Sequence, residues 1–145
     1  MRFAFFQGCS IPARVSQYAD ASRAICGNLN IELVELEAFN CCGYPARNLD
    51  QRAFQLSAAK NLAAAEAEGL DMLVMCKCCY GALKKAEYQL VENPSLKNEI
   101  NSILTKDKLK YEGRIQINHL LTVLHRDVGK DRLVSNISRT YSGLQ

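Results

Sequence analysis

Five of the chain's seven cysteines are spaced as the thiolate ligands of an inorganic core would be: 31 residues separate Cys9 from Cys41, 33 separate Cys42 from Cys76, and two separate Cys76 from Cys79. Adjacent cysteines do not readily bridge to each other, because a disulfide needs Cβ vectors that converge at a set separation. Two neighbouring thiolates can instead both reach one polynuclear metal centre. The Cys41-Cys42-Gly43 step therefore points to metal ahead of a disulfide, and the whole set points to an iron-sulfur cluster. A tetrahedral zinc site would use four of these sulfurs and leave the fifth unexplained. A thiol-disulfide exchange site at Cys76 and Cys79, where a helix start favours thiolate, would leave Cys9 and the Cys41-Cys42 pair without a purpose.

The hydrophobic pattern supplies elements that can carry these residues. Residues 2–7 form a short apolar run closed by Gly8, read as a buried strand that delivers Cys9 into a loop. A helix is expected over 16–26, capped by Ser16, with Tyr18, Ala21, Ile25 and Leu29 at helical intervals. Residues 31–37 alternate as a strand with a wet face, and the chain then turns through the Cys41-Cys42-Gly43 step to Tyr44 and Pro45. The Ala-rich stretch 50–68 predicts a helix with Phe54, Ala58, Leu62 and Ala65 on one stripe and Gly69 as terminator. A second buried strand over 72–75 ends at Cys76. A helix from near Cys79 or Tyr80 follows, carrying Leu83, Ala86 and Leu90, and another from Asn93 or Ser95 carries Leu96, Ile100, Ile103 and Leu104. A fourth strand is expected over 114–117, with Asn118 capping a last helix. Strands alternating with helices imply an α/β fold: a small parallel, Rossmann-like sheet of about four strands flanked by helices. Its carboxyl strand ends, where such folds hold ligands, would carry Cys9, Cys41, Cys42 and Cys76.

The same cysteines, with the opening Phe5-Phe6-Gln7-Gly8-Cys9 and Pro12, the run Leu70 to Met75 before the C-x-x-C, and His119, Val128 and Gly129, resemble the CCG domain of the heterodisulfide reductase B-subunit family, in its N-terminal half. The resemblance covers residues 1–129 as a CCG domain and leaves 130–145 as a tail or linker toward a missing second one. Ser142-Gly143-Leu144 looks like the approach to that second half, so the chain is expected to be a fragment of a longer protein. What the resemblance implies is a non-cubane four-iron four-sulfur cluster held by Cys9, Cys41, Cys42, Cys76 and Cys79. It also implies electron transfer to a small-molecule disulfide or similar acceptor, with an A-like flavin and iron-sulfur subunit and a C-like ferredoxin subunit as partners. A single domain is not expected to be active alone. A glycolate- or lactate-oxidising complex, or a CCG-type succinate dehydrogenase, shares the motif. Cys78 stands where related sequences often have glycine and is a possible alternative ligand. The x-x spacing, however, turns the first and last sulfurs toward one metal and Cys78 away.

Length and composition bound the rest. The 145 residues suffice for one domain with its own core. An odd cysteine count without an export signal favours a reducing cytoplasm. The apolar start is too short for a signal peptide, and no membrane span is expected. A net charge of +3 is mild, and Lys106, Lys108, Lys110 and Arg114 are interrupted by Asp107 and Glu112, which fits a solvated turn and not a nucleic-acid surface. Cys26 reads as core and His119 as a helix-start residue. Lys77 reads either as a donor to cluster sulfide or as a solvated side chain. Gly8, Pro12, Gly43 and Pro45 are expected to shape the backbone around the cluster.

Overall fold

Four parallel strands, β1 (Arg2–Phe6), β2 (Glu32–Val34), β3 (Met72–Val74) and β4 (Ile117–His119), form one sheet in the order β2-β1-β3-β4. This computed structural model describes residues 1–137. In the register, Ala4 pairs with Val34 on one side and with Met72 on the other, and Val74 pairs with His119. Helices α1 (Ser10–Arg14) and α2 (Ser16–Asn28) link β1 to β2, and α3 (Gln51–Ala67) links β2 to β3. Helices α4 (Lys77–Glu92) and α5 (Pro94–Leu104) link β3 to β4. After β4 come α6 (Leu120–Thr122), which continues as a π-helical segment Val123–Val128, and α7 (Lys130–Ser135).

The central strands are apolar from Phe3 to Phe6 and from Met72 to Val74 because both their faces are covered there, as parallel sheets require. Phe3 and Phe5 point into a core with Ile11, Ala19, Cys26 and Leu29, whereas Ala4 and Phe6 point into one with Phe54, Leu62 and Leu83. β3 divides in the same way, with Leu73 in the first core and Met72 and Val74 in the second. The second core takes in α3, whose Phe54, Ala58, Leu62 and Ala65 are fully buried along the expected stripe. Asp50 caps this helix, its carboxylate accepting from the Arg52 and Ala53 amides at 3.0 and 2.9 Å.

Several local expectations shift. Helix α2 buries Ala19, Ser22 and Cys26 while Tyr18, Ala21 and Ile25 lie outside, a helical phase one residue from the expected one, and of the expected stripe only Leu29, the C-cap, is buried. Ser22 is tolerated inside because its hydroxyl donates to the Tyr18 carbonyl at 2.8 Å. β2 keeps only three residues, Glu32–Val34, at the sheet edge. Helix α4 starts at Lys77, two to three residues early, and α5 at Pro94 with Asn93 as its cap. β4 begins at Ile117 and not at Arg114, because the preceding amides are held by side chains. Glu66 accepts from Glu112 and Arg114, and Asp71 accepts from Gln116 at 2.7 Å. His119, and not Asn118, then caps the next helix. Part of the region beyond Gly129 is ordered on the domain: Leu133 packs on the core of α2, and Arg132 donates to the Leu29 carbonyl at 2.8 Å. Ser142-Gly143-Leu144 lies outside the described residues.

Removing the cap of α3 by Asp50→Ala is expected to cost about 1 kcal/mol, lowering the melting temperature by about 3 °C in a thermal unfolding scan followed by circular dichroism.

Candidate metal centre

In a sheet ordered β2-β1-β3-β4, the connections leave β1 and β3 toward opposite edges, and the crevice opens beyond the carboxyl ends of those two strands. Cys9 follows β1 and takes the N-cap position of α1. Cys76 follows β3 and takes the N-cap position of α4, where its carbonyl accepts from the Tyr80 amide at 2.8 Å. Cys79 is then three residues on, in the first helical turn, so that residues i and i+3 share one face. Cys78 falls between them and is solvent-exposed, whereas Cys79 is buried. The C-x-x-C is therefore a helix start whose first and last sulfurs face the crevice.

The Cys41-Cys42-Gly43 turn has no strand or helix of its own, and α3 holds it at two points. Asn61, fully buried in the middle of α3, accepts from the Asn40 amide at 2.7 Å and donates to the Cys41 carbonyl at 3.0 Å. Two helical turns earlier, Phe54 lies against Gly43. Gly43 has φ +81°, and a Cβ there would meet the Phe54 carbonyl oxygen at 2.8 Å. Gly8 is constrained on the other side of the crevice: with φ +73°, its absent Cβ leaves the space that Cys79 Sγ occupies, 2.8 Å from where a Cβ would stand. Motif spacing does not single out Asn61. The signal it does carry in the sequence is that of a polar residue of poor helix propensity inside an Ala-rich helix, seven positions after Phe54.

The five sulfurs are brought together as a row. Cys9 interacts with Cys41, Cys41 with Cys42, Cys42 with Cys79, and Cys79 with Cys76. A hydrogen bond from the Cys79 thiol lowers the pKa of Cys42 to about 6, helped by the Tyr44 amide and opposed by burial. The same bond, with burial, pushes Cys79 well up, so Cys79 is the donor of the pair. Burial raises Cys41, although the Gly43 amide works the other way. Among the described residues no three His, Cys, Asp or Glu side chains are arranged to hold a single metal ion. The donor set is five soft sulfurs linked pairwise, which suits an iron-sulfur core of several metal atoms better than one ion.

Of the remaining candidates, Cys26 and His119 stand apart from the row. Cys26 is fully buried in the core against β1, and burial raises its pKa. His119 caps α6, its Nδ1 accepting from the Leu121 amide at 3.3 Å, and its ring meets Tyr80 edge-on at 5.6 Å. Pro12 lines a cavity of about 290 Å³ with Gly8, Cys9, Asn40 and Cys41, and Pro45 lies in the 3-10 turn Tyr44–Ala46. Lys77 is exposed and lines a second cavity of about 290 Å³ with Cys78, Tyr44, Arg47 and Lys85. The basic run is a solvated turn: Lys60 pairs with Asp107 and Lys110 with Glu112, both at 2.7 Å, and Tyr111 is buried.

Comparison with known proteins matches residues 3–84 to CCG, the cysteine-rich domain family. The chain belongs to that family. A heterodisulfide reductase B-subunit-like protein of Archaeoglobus profundus is 32% identical, over 99% of this chain and 49% of its own length. The 8-methylmenaquinol:fumarate reductase membrane anchor subunit of Wolinella succinogenes is 34% identical over the same shares. The B subunit of a ferredoxin/F420H2-dependent CoB-CoM heterodisulfide reductase from Methanosarcina acetivorans is 28% identical, over 94% of this chain and 46% of its own length. This CCG domain thus spans about half the length of these relatives. A hypothetical protein of Helicobacter pylori has the same fold, with a TM-score of 0.78 at 23% identity, over 86% of this chain and 25% of its own. The likeness to oxidoreductase subunits supports a redox-related role in general terms. Among the described residues no helix is long and apolar enough to cross a membrane.

Gly43→Ala is expected to destabilise the domain by at least about 2 kcal/mol, because the left-handed backbone strain adds to the collision with Phe54. Gly81→Ala, inside α4 with open space around it, is expected to raise stability by about 0.5–1 kcal/mol. Urea denaturation of the two variants checks the contrast, and a neutral Gly43→Ala would contradict the described turn.

Proposed function

We propose that this CCG domain carries a four-iron four-sulfur cluster, non-cubane in form, on Cys9, Cys41, Cys42, Cys76 and Cys79, and serves electron transfer to a disulfide or similar acceptor in a heterodisulfide reductase B-subunit-like protein. The observation that carries this reading is the gathering of five thiols from three loops into one row at the carboxyl edge of the sheet. Such a cluster, when bound, supplies one-electron chemistry that thiols alone lack. The chain's own residues bind and orient. Cys42, already favoured as thiolate, is the sulfur most ready to ligate without first losing a proton. Gly8 leaves room for Cys79, and Gly43 lets the turn close on α3. The amides at the start of α4, together with Arg47, Lys77 and Lys85 at the neighbouring cavity, offset the negative charge that several thiolates bring.

Because the chain spans about half the length of these relatives, we propose no cleavage of a two-electron substrate by this domain alone. A flavin and iron-sulfur A-like subunit and a ferredoxin-like C subunit are the proposed electron-delivering partners, and the cytoplasm the proposed compartment. The 34% identity to a fumarate reductase membrane anchor subunit favours a second reading, in which the same cluster serves a quinol- or dicarboxylate-linked complex.

Anaerobic reconstitution with iron and sulfide tests the ligand role. Wild-type protein is expected to take up roughly four iron atoms per chain. Cys41→Ser and Cys42→Ser should abolish uptake, while Cys26→Ser, away from the row, should retain it. Equal iron in all three variants would defeat the assignment, and a preparation that accepts zinc but refuses iron would favour a structural zinc module.

A further inference from the structure

Asn61 is the one polar side chain that α3 spends on the crevice, and its bonds are unusual for a helix interior. The carboxamide is fully buried, and its partners are all main-chain groups. Its Nδ2 donates to the Ser57 carbonyl at 2.9 Å and to the Cys41 carbonyl at 3.0 Å, and its Oδ1 accepts from the Asn40 amide at 2.7 Å. An asparagine inside a helix costs propensity, and burying an amide is tolerable only when its donors and acceptor are matched. What the matching achieves is specific. The Asn40 amide and the Cys41 carbonyl have left the sheet, so no strand ladder satisfies them, and Asn61 supplies one acceptor and one donor in its place.

We infer that Asn61 is a positioning residue for the Cys41-Cys42 thiols, fixing the direction in which the adjacent sulfurs leave the turn. This rests on the ligand role proposed above for those two cysteines. With Phe54 against Gly43, the turn is held at both ends by one helix face, and among the described residues only Asn61 hydrogen-bonds the Cys41 carbonyl. Adjacent ligands leave little freedom for correction: a rotation of the Cys41 carbonyl swings its side chain with it, and the next residue's too. Hydrogen bonds outside the ligand set commonly decide metal affinity through such orientation.

The fold contains its own control. Asn101 in α5 likewise holds a loop backbone through one amide and one carbonyl, here both of Tyr111, accepting from its amide at 2.8 Å and donating to its carbonyl at 2.9 Å, in a loop that carries none of the cysteines. The test compares Asn61→Leu, Asn61→Asp and Asn101→Leu in the full chain, at a temperature where circular dichroism shows all three folded. In the metal-free protein, the rate at which iodoacetamide modifies Cys41 is read by peptide mass spectrometry against the exposed Cys78. After anaerobic reconstitution, iron per chain and the electron paramagnetic resonance line shape are recorded.

Asn61→Leu is expected to raise the relative modification rate of Cys41 and to lower iron uptake roughly tenfold, with an altered line shape in what is loaded. Asn61→Asp, which keeps the bond to Asn40 and loses those to Cys41 and Ser57, should fall between Asn61→Leu and wild type. Asn101→Leu should lose stability while leaving modification rate, iron content and line shape as in wild type. Wild-type rates, iron and line shape in folded Asn61→Leu would overturn the inference. So would equal changes in Asn101→Leu, which would reduce Asn61 to a general stabiliser. If wild-type protein takes up no iron, the cluster reading fails, and the modification rates of the metal-free variants still decide the role of Asn61.

Discussion

A parallel sheet sends every strand's carboxyl end to the same edge, and the rest of this structure depends on that geometric fact. β1 and β3 are adjacent and central, so Cys9 and Cys76, one shortly after each strand, are delivered to neighbouring positions by the sheet itself. Right-handed crossovers force the chain away from β1 and β3 on opposite sides, and the gap left between them is the crevice. Cys79 then follows from Cys76 by one helical turn. Only the Cys41-Cys42 pair is not delivered by a strand end in this direct way. β2 stops at Val34, seven residues earlier, and the pair must be carried back over the sheet to the row.

The buried surroundings of the row turn its sulfurs into a coupled set. Five thiolates at this spacing would repel one another strongly, and the metal-free protein answers by sharing protons: Cys42 is favoured as the anion and Cys79 as the donor that holds it. Burial, which raises Cys41 and Cys79, is opposed at Cys42 by hydrogen bonds from Cys79 and the Tyr44 amide. Positive charge on a bound core would reverse the balance for all of them, releasing the remaining protons. The exposed cations Lys77 and Lys85 lie beyond the row at the second cavity, where they act through solvent and not through direct bonds.

What could be read in the sequence, and what could not, divides along physical lines. The buried faces of α3 and α4 were legible because Ala, Leu and Phe recur there at helical spacing and little else competes. The strands β1 and β3 were legible because two-sided burial makes them apolar without interruption. The face of α2 was not, since Tyr18 and Ile25 look like core residues while Ser22, which satisfies its hydroxyl within its own helix, does not. β4 was displaced because its start is set by Glu66 and Asp71, carboxylates some 45 residues away that capture the preceding amides. The sulfur row itself was legible through spacing alone, but its support was not. Asn61 and Phe54 are linked to the Cys41-Cys42-Gly43 turn only through the fold, and hydrophobic period says nothing about a side chain that bonds to backbone.

That support also accounts for the composition of α3. Ala58, Ala59, Ala63, Ala64 and Ala65 are buried, and small side chains let the helix lie close to both the sheet and α4. A helix of bulkier residues would stand off further and could not bring a short carboxamide within 2.7 Å of the Asn40 amide or the Phe54 backbone against Gly43. Alanine contributes little burial per residue, so the close approach is held by the few large side chains on the same face, Phe54 and Leu62. The Ala-rich stretch therefore serves two purposes with one choice of residue. It is the strongest helix signal in the chain, and it sets the distance at which the turn carrying two of the five cysteines is held against the sheet.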